Sequence, residues 1–171
     1  MHYLLEAIFV AFYSLIIFNL VYFFFIYLFQ FSFMGEPFLF FITGFCKHFF
    51  AYFLGIHQYY CRHGWACISH KPISSNKYLD YNSAFAFKNQ KWKDWIHLIA
   101  WSIGEGIIFI MAYYIFFLAI KGEKKYKYNS IVGLSIFIFF MGFILHILAE
   151  WIGLHSYFCH NQCNYSSFMS T

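Results

Sequence analysis

His48-Phe-Phe-Ala51-Tyr-Phe-Leu-Gly55-Ile-His57-Gln-Tyr59-Tyr-Cys61 is matched without a gap by His146-Ile-Leu-Ala149-Glu-Trp-Ile-Gly153-Leu-His155-Ser-Tyr157-Phe-Cys159. Six of the fourteen positions are identical, and three of those six are His or Cys. Gly44-Phe45 and Gly142-Phe143 extend the match upstream in the same register. Earlier still, Glu6-Ala-Ile8 aligns with Glu105-Gly-Ile107, and Ile16 and Phe18 align with Ile115 and Phe117. An apolar chain produces chance Ile and Phe matches, but it does not readily produce matched Glu, His, Gly and Cys. The pattern predicts a two-helix unit used twice.

Both copies lie in sequence that suits a bilayer. Of the 171 residues, 62% are hydrophobic, 27% aromatic and 11% charged, against about 25% charged in soluble domains. That balance excludes an ordinary soluble domain and a disordered chain. A spanning helix needs about 20 mostly apolar residues, and four stretches qualify: 4–29, 38–56, 95–120 and 130–154. The first lacks the basic start and small-residue cleavage site of a signal peptide, so it is expected to remain in the mature protein. The predicted fold is an all-α integral membrane protein, with four transmembrane helices as two tandemly duplicated antiparallel hairpins in a pseudo-two-fold bundle. Residues 1–61 form the first two-helix repeat, 62–94 a polar interfacial loop containing Cys and His, 95–163 the second repeat and 164–171 a short tail.

Within each repeat, Gly44, His48, Ala51 and Gly55 fall on one helical stripe, as do Gly142, His146, Ala149 and Gly153. Small residues at that spacing let helices approach closely, so each His is expected to face protein rather than lipid. Counting at about 1.5 Å per residue puts Glu105 and His146 level across the second hairpin, about 24 Å from its tip. Glu6 and His48 are expected to pair in the same way across the first. Glu150 lies one turn after His146, and Tyr52 takes its place in the first copy.

His48, His146, Glu6, Glu105 and Glu150 thus form a candidate intramembrane metal set, with His57 and His155 as secondary candidates at the membrane edge. A transition metal would suit such ligands in a bundle core. Proton or cation handling would use the same groups, and His48 and His146 on facing helices could clamp a haem b. Opposed to all three is a reading in which each Glu hydrogen-bonds a His as packing glue. The leading expectation is a small non-enzymatic structural or assembly component, in a viral envelope or an organellar membrane complex. The alternative is a proton-, metal- or haem-handling membrane protein using Glu6, Glu105, His48 and His146. Heavy use of Phe, Tyr, Ile, Asn and Lys also suggests an A/T-rich genome.

A second cluster follows the matched segments: Cys61-Arg-His63-Gly-Trp-Ala-Cys67-Ile-Ser-His70 and Cys159-His160-Asn-Gln-Cys163. In a reducing compartment these residues offer ligands for a structural zinc. In an oxidising one, Cys61 with Cys67 and Cys159 with Cys163, or pairs between the two groups, would form disulfides, and this is the preferred reading. A four-helix membrane chain with cysteines on one face is similar in outline to the quinone-linked thiol oxidases and vitamin K epoxide reductases. Those families use a C-x-x-C pair that this chain lacks, so no catalytic residue follows from the likeness. No P-loop, nucleophile elbow, H-E-x-x-H or dinucleotide fingerprint is present.

The formal net charge is +4, and the 11 Lys and Arg gather in loops rather than on a nucleic-acid-binding face. Expected partners are the lipid bilayer and further membrane proteins or copies of this chain. Lys121, Lys124, Lys125 and Lys127 crowd one short connection, which places the short loops in the cytoplasm. Both termini and the Cys-containing loop then lie opposite, with the sequon Asn164-Tyr165-Ser166.

Overall fold

A computed structural model of the chain describes residues 2–28, 35–69, 92–120 and 131–159, and the regular structure among them is entirely helical. Helix α1 (His2–Tyr22) continues into a π-helical segment, Phe23–Leu28. Helix α2 (Glu36–Phe53) opens with Glu36 and Pro37, an acidic side chain at the positive end of the dipole and a residue without the N–H that the first turn cannot satisfy. The short α3 (Ile56–His63) and α4 (Trp65–Ser69) follow. Two long helices come next, α5 (Trp92–Ile120) and α6 (Ile131–Trp151), and α7 (Leu154–Phe158) closes the described chain.

Three segments are long and apolar enough to cross a membrane: Tyr3–Phe25, Trp95–Phe116 and Ile131–Trp151. Helix α2 has 18 residues but carries Glu36, Lys47 and His48, which lower its apolar character. The outward sides of α1 and α6 carry rows of exposed apolar side chains. Leu5, Phe9, Phe12, Ile16 and Leu20 are exposed along α1, and Val132, Ile136 and Phe140 along α6, each at helical spacing. In water such bands would drive association, whereas acyl chains solvate them. By length and composition this is a polytopic membrane protein in contact with lipid.

The inward sides of the four longest helices share one core. Phe40 of α2 is fully buried, with its ring centroid 6.1 Å from Phe18 of α1, 4.7 Å from Tyr113 of α5 and 5.6 Å from Phe137 of α6. Within it, α2 packs mainly on α5 and α6 on α1, with a smaller contact between α1 and α2. This departs from the expected hairpins, because α5 and α6 are not principal partners. They meet through rings such as Phe116 and Phe137, 5.6 Å apart.

Small residues determine that choice. A methyl group on Gly44 would come within 2.8 Å of the Glu105 carbonyl and 3.0 Å of the Gly106 Cα. One on Gly142 would meet Ser14 Oγ at 2.7 Å. Gly44 therefore marks the α2–α5 crossing and Gly142 the α6–α1 crossing.

Gly55 and Gly153 do something different from the packing role their stripe suggested. Both are left-handed, with φ of 73° and 77°, and a methyl group on Gly153 would touch nothing within 4 Å. Each ends a long helix and starts a short one. The bonds Leu54 N–H to Phe50 O (2.9 Å) and Gly55 N–H to Tyr52 O (3.2 Å) have equivalents in Ile152 to Leu148 (2.9 Å) and Gly153 to Glu150 (3.2 Å). The expected spans 38–56 and 130–154 thus stop early, at positions only glycine holds without strain.

Candidate functional site

Ionisable side chains gather where the long helices meet the short ones. Glu105 of α5 accepts hydrogen bonds from Lys47 Nζ and from His48 Nδ1 (2.9 Å), both on α2. The Lys47 ammonium also lies over the Phe109 ring, 5.3 Å from its centroid. The His48 ring lies 4.5 Å from that of His57, centroid to centroid, and 6.5 Å from Trp101. On the same helix, Tyr13 of α1 donates its hydroxyl to the Lys47 carbonyl (3.0 Å).

The second group lies on α1, α6, α7 and the segment between α2 and α5. His146 is buried, 7% exposed, and its Nε2 is 3.9 Å from Glu6 Oε2. The backbone N–H of Trp65, at the start of α4, donates to the other Glu6 oxygen (2.8 Å). The His146 ring is 4.4 Å from His155, whose Nδ1 donates to Glu150 (2.7 Å). Tyr60 stands beside them, its ring 5.4 Å from His155 and 6.3 Å from His146. Two buried atoms there, His146 Nε2 and the Tyr60 hydroxyl, have no hydrogen-bond partner among the described residues.

Glu105 therefore pairs with His48 and Glu6 faces His146, the reverse of the hairpin pairing expected from counting. Partners follow the α2–α5 and α6–α1 crossings. Glu150 likewise holds His155 rather than serving His146. Burial pushes His57 down to about 3, with the nearby His48 adding to the effect, so His57 stays neutral near neutral pH. Burial also lowers His155, against the opposing pull of Glu150. The Tyr60 phenol is driven up by burial and by the charges of Glu150 and Glu6.

Among the described residues no group of three or more His, Cys, Asp or Glu is arranged to hold a metal. A haem on His146 meets an obstacle, because the Glu6 carboxylate stands 3.9 Å from Nε2, where the porphyrin would have to lie.

Cys67 is bonded to Cys159, joining α4 to the end of α7. Cys61 is disulfide-bonded as well, to a residue outside those described. The bond thus runs between the two Cys groups, not within them, and takes these sulfurs away from any zinc thiolate role. His63 is exposed and lies against Tyr59, 4.7 Å between centroids. His70, Cys163 and the short lysine-bearing connection lie outside the described residues.

Sequence reading missed Lys47, Tyr60 and the Trp65 amide. Only Lys47 gave a signal, as a lone ammonium inside an apolar stretch, where a charge requires a partner. No family model, curated protein or solved structure matches the chain.

Proposed function

We propose that this chain is a non-enzymatic structural or assembly component of a membrane, in which Glu and His side chains hold four spanning helices together. The observation that carries the reading is that Glu105 accepts hydrogen bonds from both Lys47 and His48. A carboxylate whose oxygens are both taken by one neighbouring helix pins that helix and has no oxygen left over for a substrate. Neutralisation also removes most of the cost of placing Lys47 at membrane depth, so α2 serves as the fourth span despite its polar residues.

The chain is built, in this reading, as a tandem duplication. Residues 1–61 and 95–163 are the two units about a pseudo-two-fold axis along the membrane normal, 62–94 connects them and 164–171 is a tail. Supporting it are the matched left-handed glycines and His–His contacts of 4.5 and 4.4 Å at equivalent positions. Disulfide bonding at Cys67, Cys159 and Cys61 favours an oxidising compartment for the α3, α4 and α7 end. The short lysine-rich connection between α5 and α6 is then cytoplasmic. Outward apolar faces suit assembly with other copies or membrane proteins, in a viral envelope or an organellar complex.

Reconstitution into liposomes tests the role. Proton and cation permeability should be the same for the wild type and for the His48→Ala/His146→Ala double variant, while the double variant melts at lower temperature in detergent. A wild-type flux that the double variant abolishes would overturn the proposal.

A further inference from the structure

His57 and His155 stand at matching places in the two aligned segments. Each is the second residue of the short helix that follows a left-handed glycine, Gly55 or Gly153. Each ring faces an imidazole on the long-helix side of that turn. His57 meets His48 at 4.5 Å between centroids, and His155 meets His146 at 4.4 Å. A histidine pair thus closes both turns.

The short helices beyond the turns are tied into one unit. Helix α3 packs on α4 and α4 on α7, and the Cys67–Cys159 bond fastens α4 to the end of α7. The seats of this unit on the bundle include the two imidazole pairs, Tyr157 against Trp101 (6.3 Å) and the Trp65 N–H on Glu6 (2.8 Å). A methyl group on Gly153 would meet nothing within 4 Å, so that turn is not wedged by a neighbour.

We propose that α3, α4 and α7 form an acid-released cap, which turns away at Gly55 and Gly153 as His57 and His155 take up protons. Imidazole is the side chain whose charge ordinarily changes between about pH 5 and 8, and two imidazolium rings in contact repel each other. Facing His57 are His48, Lys47 and Tyr52 of α2, Glu105 of α5 and the Phe158 ring of α7. Burial, His48 and Lys47 oppose a proton there, and Glu105 does not offset them, so His57 is held down to about 3. Facing His155 are His146 and Glu150 of α6 and Tyr60 of α3, with Lys47 and Glu105 acting from farther away. Burial lowers His155 as well, despite the pull of Glu150.

In the released cap both rings meet water and return to about 6.5. A histidine lowered in the closed form binds its proton on opening. Closure is therefore undiminished above about pH 6.5 and is lost as the pH falls below it. Between about pH 7.5 and 5.5, one such residue raises the open population about tenfold, and two raise it by up to about a hundredfold. That window lies above about 4, where carboxylates ordinarily titrate.

Hydrogen–deuterium exchange of the full chain in detergent at these two pH values, corrected for intrinsic exchange rate, tests the cap. Helices this short are marginal without packing, so release frees their amides. Protection at Tyr59, Gly64, Ile68 and Tyr157, whose N–H groups donate within the cap, should fall at least about tenfold at the lower pH. The amides of α5 and α6 should stay protected. His57→Phe alone should reduce the pH dependence by about tenfold, and His57→Phe/His155→Phe should abolish it. His63→Gln, at an exposed imidazole of α3, should behave as the wild type. Equal cap protection at both pH values, parallel loss in α5 and α6, or a dependence that survives the double variant or vanishes in His63→Gln would each overturn the proposal. Should the double variant fail to fold, His57→Phe decides, and an unchanged pH dependence there would overturn it.

Discussion

Lys47 holds a position that would be untenable without Glu105. Its ammonium is largely shielded, as is the carboxylate it meets, and both lie at the level of the α2–α5 crossing. Removing one partner of such a pair leaves a charge with little water and no counter-charge, which costs about 3 kcal/mol or more. Removing both is far milder, because the desolvation cost disappears with the attraction. Glu105→Gln should therefore lower unfolding free energy in detergent by about 3 kcal/mol, and Lys47→Met/Glu105→Gln should recover most of the loss. A double variant as unstable as the single one would show that the pair contributes no coupling. At this scale the sequence was legible by residue type. The matched Glu and His residues were visible as residue types inside apolar sequence, but which Glu meets which His depends on helix neighbours. That choice is made by packing far along the chain, so counting across a hairpin assigned it wrongly.

Neighbours are selected where backbones come closest. The α2–α5 crossing turns on Gly44, because an added methyl group would strike main-chain atoms of Glu105 and Gly106, which cannot rotate away. Helix separation is then the only relief, and it would also pull Lys47 and His48 off Glu105. At Gly142 the obstacle is the Ser14 side chain, which already donates to the Val10 carbonyl at 2.8 Å and can turn. At Gly104 nothing lies within 4 Å. Gly44→Ala should thus destabilise by about 1 to 3 kcal/mol, Gly142→Ala by less, and Gly104→Ala should be neutral or slightly stabilising, since alanine favours helix. Thermal melts of the three variants in one detergent check the order, and equal melting of Gly44→Ala and Gly104→Ala would contradict it. The stripe containing Gly44 and Gly142 could be read from spacing. The turns at Gly55 and Gly153 could not, because a glycine that supplies a left-handed φ and one that admits a neighbouring helix are identical in sequence.

Across the whole molecule, the Cys67–Cys159 bond links positions 92 residues apart and fastens α4 to the end of α7. That places the N-terminus of α4, and with it the Trp65 N–H, over Glu6. One covalent bond thus holds the cap that orients the second polar group, and it joins the chain following α2 to the chain following α6. Cysteines on a single face were visible from the start. Their pairing was not, since two spacings within loops allow several connectivities and only the approach of α4 to α7 selects among them. Closing so long a loop restricts the unfolded chain, and bonds of this kind contribute about 2 to 5 kcal/mol. Cys67→Ser and Cys159→Ser should each lower detergent stability by a similar amount within that range, because either breaks the same bond. Cys46→Ser, at a free thiol on α2, should leave the disulfide intact. Reductant should bring the wild type to the melting temperature of the two Ser variants or below, since Cys61 is bonded too. If the Cys-bearing end faces outward, a membrane-impermeant maleimide applied to intact cells after mild reduction will label Cys67 and Cys159 without permeabilisation. Labelling that requires permeabilised cells would reverse the orientation and remove the oxidising compartment from the account of why α4 stays in place.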